Sequence, residues 1–302
     1  MNLSFNSVEN QFVGSFLGGI SVTMKREDRI HPMISGNKYR KLKYNLLEAR
    51  EMGCSKLLTF GGAFSNHIAA VAAAGNEFGF ETIGIIRGEE LESKIPDNPT
   101  LSYSASQGMT FKFVTRSEYR LKGEAHFINN LREEFGSFYL IPEGGTNNLA
   151  VQGCEEILAQ VDQEMNYICC AVGTGGTISG LINASNKDQM VLGFPALKGD
   201  FLSEDIRKFA TQDQWKLITD YHFGGYGKIN QELIGFINEF KMKYQIRLDP
   251  IYTGKMMFGI FDLIKKGFFP KGSQILAIHT GGLQGIEGMN QKLKQKNLPL
   301  IK

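Results

Sequence analysis

The chain has 302 residues, 42% hydrophobic and 21% charged, with 33 basic against 31 acidic side chains and a formal net charge of +2. That length suits one large or two modest domains with a sizeable core. No stretch concentrates basic residues without acids among them, which argues against a nucleic-acid footprint, and no apolar run approaches the ~20 residues of a membrane span.

The N-terminal MNLSFNSVEN has no basic region followed by an apolar block, so a cytoplasmic, soluble protein is expected. In chain order, Lys56–Gly61 (KLLTFG) reads as a strand, and Ser65–Gly79, rich in alanine and closed by glycine, as a helix. Thr82–Arg87 and Met109–Thr115 are further strands, followed by a helical stretch from Ser117 to Phe135. Phe138–Pro142 is a fourth strand, Gln152–Gln163 a helix and Tyr167–Val172 a fifth strand, with a helix opening near Thr177. Met190–Phe194 and Lys216–Thr219 are strand candidates. Leu233, Ile237, Phe240 and Tyr244 then recur at helical spacing, and Ile275–His279 is the last strand.

This alternation predicts an α/β fold, with parallel sheets covered by helices on both faces. Strand candidates before residue 145 and after it fit two sheets in two lobes. Of the four cysteines, Cys54, Cys154, Cys169 and Cys170, none forms a C-x-x-C pair. Cys169 and Cys170 would point to opposite faces of one strand, as reduced, buried thiols. Ligands in such sheets bind beyond the carboxyl ends of the strands. The loops to inspect are therefore Gly61–His67, Glu143–Asn148, Gly173–Thr177 and His279–Gly282.

Three of these stretches carry chemistry. Gly173-Thr174-Gly175-Gly176-Thr177 joins an apolar strand to a helix, where backbone N–H groups and the helix dipole can cup an anion. It is neither a P-loop nor a dinucleotide fingerprint, since Ile178 stands where a third glycine belongs. Lys38, after Ser35-Gly36-Asn37 and close to Arg40 and Lys41, reads either as a solvated basic helix start or as an amine whose pKa is depressed for carbonyl chemistry. Ser65, in Gly61-Gly62-Ala63-Phe64-Ser65-Asn66-His67, reads as a helix N-cap or as one donor of a carboxylate pocket.

Taken together, SGNKYRKL at 35–42, GGAFSNH at 61–67, PEGGTNN at 142–148, VGTGGTISG at 172–180, GGYGK at 224–228 and DPIYTGK at 249–255 form an ordered set over almost the whole chain. This set resembles the fold-type II pyridoxal 5'-phosphate (PLP) enzymes, the tryptophan-synthase-β-like group. It is closest to the 1-aminocyclopropane-1-carboxylate (ACC) deaminase and D-cysteine desulfhydrase family. The resemblance implies a two-lobed fold, with residues 1–45 and 149–302 as a larger PLP-binding domain and 46–148 as a smaller α/β domain. It also implies a homodimer acting on a small amino acid, with no metal.

The resemblance further implies roles for single residues. Lys38 would hold PLP as a Schiff base, and Asn66 would bond the cofactor's phenolic oxygen. Gly173, Thr174, Gly175, Gly176 and Thr177, helped by Lys41, would hold the phosphate. Ser65, Asn66 and His67 would surround the substrate carboxylate through backbone and side-chain donors. Tyr252 would stack near the pyridine ring, Thr253 would lie near its nitrogen, and Tyr226 would face the substrate. Lys38 or Ser65 would move the α-proton. Two departures stand out: Thr253 where ACC deaminases carry glutamate, and Phe64 where glutamine is common. The implied reaction is α,β-elimination, with D-cysteine giving pyruvate, sulfide and ammonia. The alternatives are ACC deamination to 2-oxobutanoate and ammonia, another PLP β-elimination or β-replacement, and a ligand-binding member without turnover.

Overall fold

The computed structural model describes residues 8–199 and 202–302. β1 (Asn10–Phe16) and β2 (Ile20–Lys25) form an antiparallel hairpin, and α1 (Asn37–Glu51) leads from it to β3 (Lys56–Gly61). α2 (Asn66–Phe78), β4 (Glu81–Arg87), α3 (Pro99–Ser106), β5 (Met109–Val114), the short α4 (Arg116–Tyr119), α5 (Ala125–Phe135) and β6 (Tyr139–Ile141) follow. The chain continues through α6 (Asn148–Glu155), β7 (Tyr167–Val172), α7 (Gly176–Ala184), β8 (Met190–Pro195), α8 (Leu202–Arg207) and β9 (Trp215–Leu217). It closes with α9 (Gln231–Tyr244), α10 (Thr253–Lys265), β10 (Gln274–Ile278) and α11 (Gly285–Gln295).

The strands fall into two sheets. One runs β5-β4-β3-β6 and is parallel throughout; the other runs β1-β2-β10-β7-β8-β9 and is parallel except for the edge strand β1. Parallel strands need covered faces, which explains why β7 is apolar at every position. Its adjacent cysteines point opposite ways: Cys169 joins the core beneath α9 and α10, and Cys170 the core beneath α7. Burial lifts the thiol pKa of Cys170 to about 12, so it stays a neutral apolar filler.

α2 shows how sequence places a loop of the site. Ser65 caps its start, with Oγ accepting from the N–H groups of His67 and Ile68, and Gly79 ends it in the left-handed conformation. His67 through Gly75 are all buried, and the alanines let the helix lie close to β3 and β4. The helical stretch expected from Ser117 to Phe135 is broken into α4 and α5, because Gly123 and its neighbours form a turn. The helix expected at Gln152–Gln163 starts earlier, at Asn148, because the Asn147 side chain accepts from the N–H of Ala150.

A buried set of ion pairs seats α1. At the end of β2, Lys25 contacts Asp162 at 2.6 Å with both side chains buried, and just beyond it Arg26 contacts Asp28 at 2.7 Å. Arg40 of α1 donates two 3.0 Å hydrogen bonds to the carboxylate of buried Glu27. Removing one partner of such a pair costs about 3–5 kcal/mol, because the other charge is left buried. The first turn of α1 is thereby held against the end of β2.

Candidate active site

A cavity opens at the carboxyl ends of β3 and β7, between the two sheets, and all the inspected loops reach it. Its lining includes Lys38, Lys41, Ser65, Asn66, His67, Gly173, Thr174, Gly175, Thr177, Tyr226 and Tyr252. Residues 61–180 bring most of these groups, while Tyr226 and Tyr252 arrive from more than forty positions further on.

Lys38 is the second residue of α1. The turn before it requires Gly36, at φ 62°, where a Cβ would stand 2.0 Å from the Thr280 carbonyl oxygen. Asn37 then ties the turn down: its N–H donates to that carbonyl at 3.2 Å, and its side-chain Nδ2 donates to Thr177 Oγ1 at 2.7 Å. Burial, with the Lys41 charge nearby, pushes the Lys38 ammonium down to about 7. About half of such an amine is available as a nucleophile at pH 7.

The glycine loop supplies an anion cup. Gly175, at φ 85°, is the N-cap of α7, and the first N–H groups of that helix have no carbonyl of their own helix to bond. Gly173 lies so close to Tyr252 that a Cβ would meet its ring at 3.2 Å. Gly176 is not on the cavity wall. It makes room behind it, since a Cβ there would stand 3.2 Å from Lys41 Nζ. Lys41 Nζ donates to the Gly144 carbonyl and to Thr146 Oγ1, each at 2.9 Å, and to Thr174 Oγ1 at 3.4 Å. Burial pushes its ammonium down to about 8. Two lysines thus line a cavity whose described lining holds no Asp or Glu. The Lys41 ammonium, beside a helix N-terminus and with no carboxylate in the described lining, fits a phosphate dianion.

Three expected roles change in the structure. Thr253 does not line the cavity. It is fully buried as the first residue of α10, where its hydroxyl donates to Asp249 Oδ2 at 2.6 Å. The Asp249 carboxylate also accepts from the N–H groups of Ile251, Tyr252 and Thr253. The threonine completes a helix cap and is turned from the cavity. His67 cannot donate through its ring to a carboxylate. Thr59 Oγ1 donates its one proton to the Ile141 carbonyl at 2.9 Å, so His67 Nε2, 2.8 Å from that oxygen, must be the N–H that donates to it. Burial, then the charges of Lys38 and Lys41, hold the imidazole well below its ordinary value. The ring is neutral, and among the described residues its buried Nδ1 makes no direct hydrogen bond. Phe64 points away from the cavity, against Gly288 of α11 and Pro99 of α3, with Lys292 Nζ 4.2 Å from its ring centroid. It therefore does not shape the pocket wall.

Ser65 lines the cavity, but two N–H groups already occupy its oxygen lone pairs. It is better placed to donate its O–H proton than to remove one. Asn66 reaches the opposite lobe, where only glycine at position 282 leaves it room: a Cβ there would stand 2.6 Å from Asn66 Nδ2. Tyr252 and Tyr226 meet edge to face with centroids 6.1 Å apart. Burial and the Tyr226 hydroxyl hold the Tyr252 phenol well above its ordinary pKa, so it remains protonated. Asn37, Gly144, Thr280 and Gly281 also line the cavity. Each lies in a flagged motif or loop, but its contact depends on chain crossings that local sequence does not display.

Residues 12–281 match the family model described as pyridoxal-phosphate dependent enzyme. A protein of Pyrococcus abyssi named putative 1-aminocyclopropane-1-carboxylate deaminase is 32% identical over 296 residues, spanning 89% of this chain and 86% of that protein. The mitochondrial bifunctional D-cysteine desulfhydrase/1-aminocyclopropane-1-carboxylate deaminase of Arabidopsis thaliana is 29% identical, over 89% of this chain and 74% of its own. The solved structure of an ACC deaminase homologue superposes with a TM-score of 0.82 at 28% identity, covering 97% of this chain and 95% of its own. The chain belongs to the pyridoxal-phosphate dependent enzyme family, with the fold-type II architecture and pyridoxal 5'-phosphate as its cofactor.

Proposed function

We propose that this protein is a lyase that eliminates the β-substituent of a small amino acid, with D-cysteine giving pyruvate, sulfide and ammonia. The observation that carries this reading is the absence of Asp and Glu from the described cavity lining. Asp249, three residues before Tyr252, has both oxygens committed to the cap of α10. The bound cofactor supplies an electron sink for the substrate's Cα. Without a carboxylate to hold its ring nitrogen charged, that sink is a mild one. It suits departure of a good thiolate leaving group better than opening of a cyclopropane.

In this reading Lys38 Nζ holds the cofactor. The N–H groups at the start of α7, with Lys41, hold its phosphate, and Asn66 bonds its phenolic oxygen. Lys38, as an amine with a pKa of about 7, moves the α-proton. Ser65 donates its O–H proton to the substrate carboxylate. Tyr252 would stack near the cofactor's ring, and Tyr226, at the cavity mouth, would face the substrate. The sheet membership of the strands supports residues 1–45 and 149–302 as the larger domain and 46–148 as the smaller, with the first crossing along α1. A homodimer is inferred from the family resemblance alone, and sedimentation checks its assembly.

ACC deamination is the second reading; the name carried by the Pyrococcus relative favours it, while the Arabidopsis relative is named for both activities. The deciding experiment offers D-cysteine, L-cysteine, O-acetylserine and ACC to the holoenzyme and scores keto acid and sulfide. Sulfide and pyruvate from D-cysteine, with ACC inert, support the first reading. 2-Oxobutanoate from ACC without sulfide from D-cysteine overturns it.

A further inference from the structure

The segment that carries Tyr226 is a pair of consecutive tight turns. The N–H of Gly225 donates to the His222 carbonyl at 3.0 Å, and the N–H of Lys228 to the Gly225 carbonyl at 3.1 Å. Phe223, Gly224, Gly225 and Gly227 all have positive φ. The glycines adopt this freely; Phe223, at φ 52°, does so at a cost. Its ring packs edge-on against Phe258 of α10, with centroids 5.0 Å apart. Tyr226 sits at the crest of the second turn, 44% exposed, at the cavity mouth.

One buried side chain grips both turns. Lys255, in the first turn of α10, is 2% exposed, and its Nζ donates to the His222 and Gly225 carbonyls, each at 2.9 Å. These are the same two oxygens that close the turns. Among the described residues no carboxylate lies within ion-pair distance of this ammonium, and burial pushes it down to about 8. A buried charge without an ion partner is a poor device for stability, and an apolar side chain of similar volume often serves the fold as well. Its geometry suits a different task. It fixes the crest of a glycine-rich loop, which by itself has little reason to hold one conformation.

We propose that Lys255 is a positioning residue for Tyr226, clamping the double turn so that the phenol is held over the substrate and beside Tyr252. This rests on the reading in which Tyr226 faces the substrate. Tyr252, Lys255 and Phe258 then form one surface of α10 and its lead-in that seats the tyrosine loop.

The test is a double-mutant cycle in the holoenzyme, assayed on whichever substrate the panel above shows to be turned over. Tyr226→Phe should lower kcat/KM by about 10²-fold or more if the hydroxyl takes part in proton transfer. Lys255→Met should lower it by about tenfold to a hundredfold through misplacement, while leaving Tm unchanged or raised. Lys255→Arg, which keeps a cation and its donors, should recover part of the loss. In the Tyr226→Phe background, Lys255→Met should cost no more than about twofold. Amides of the peptide spanning 222–228 should exchange faster in Lys255→Met than in the parent. If Tyr226→Phe has no effect, the role of Tyr226 falls, and the clamp loses its purpose with it. If Tyr226→Phe is impaired but Lys255→Met is not, the clamp alone is overturned. Equal losses from Lys255→Met in both backgrounds, or unchanged exchange of the loop, also overturn it.

Discussion

Removing the cofactor should leave a protein whose stability climbs with pH between about 8 and 9, and restoring it should flatten most of that climb. Three buried lysines carry the effect. In the folded chain their ammonium groups titrate at about 7 for Lys38, about 8 for Lys41 and about 8 for Lys255, against 10.5 for an ordinary lysine. Between these values the unfolded chain still holds protons that the folded chain has released. Stability therefore rises with pH in this window, by about 1.4 kcal/mol per pH unit for each lysine fully in that condition. Three lysines set a ceiling of roughly 4 kcal/mol over one unit, and their mutual coupling lowers it to roughly 2–3 kcal/mol. The climb slackens above pH 9, where thiols begin to oppose it. Cys154 titrates at about 11 and Cys170 at about 12, so above the ordinary value of 9.0 the unfolded chain releases thiol protons that the fold retains. In the proposed arrangement, bound cofactor would engage Lys38 covalently and set a phosphate beside Lys41, leaving only Lys255 to contribute. Urea unfolding of the stripped and reloaded protein at half-unit intervals of pH measures both slopes. A flat or falling profile for the stripped protein, or equal slopes for the two forms, would refute the assignment of these lysines.

The anion cup and the substrate loop are tested by two further substitutions. Gly175→Val places a β-branched side chain at φ 85° and 3.2 Å from Ile206, so PLP retention should fall at least tenfold while the Tm of the stripped protein drops by only a few degrees; unchanged PLP affinity counts against the cup. Phe64→Ala removes a half-buried ring from Pro99, Gly288 and Lys292 and should cost about 1–2 kcal/mol of stability, with the ratio of D-cysteine to ACC turnover unchanged within about twofold; a shifted ratio would place Phe64 back on the pocket wall.

Much of this architecture is written in local pattern. The apolar runs at Lys56–Gly61, Tyr167–Val172 and Ile275–His279 correspond to β3, β7 and β10, because strands buried on both faces must be apolar throughout. The capped alanine helix after Ser65 is likewise visible, since both its end signals are single residues. The hairpin of β1 and β2 is harder to see. It breaks the β–α alternation, and its exit, Lys25-Arg26-Glu27-Asp28, is a run of four charges that the structure buries against Asp162, Arg40 and one another. The partners of Lys25 and Arg40 lie 137 and 13 positions away, and no local pattern announces them.

The site divides the same way. Lys38, Lys41, Ser65, Asn66, His67, the glycine loop and the two tyrosines are named by motif, and the fold brings them to one cavity, with Gly176 just behind its wall. What a motif does not convey is where each hydrogen bond goes. Thr253 serves Asp249, and the His67 ring serves Thr59, because each is captured by a neighbour that closes an unsatisfied backbone or side-chain group. Phe64 resembles a pocket residue in sequence and is an interlobe contact in space, because the loop turns its ring toward the glycine of α11.

The most direct measurement of the central claim is reduction of the holoenzyme with borohydride, followed by proteolysis and mass mapping of the pyridoxyl group. Lys38 lines the cavity together with Lys41, lies at the start of α1 beside the proposed phosphate cup, and is the most depressed of the three buried lysines. The label should fall on the peptide containing Lys38, and Lys38→Ala should bind PLP without becoming reducible to a stable adduct. A pyridoxyl group on Lys41, Lys255 or any other lysine would contradict the account.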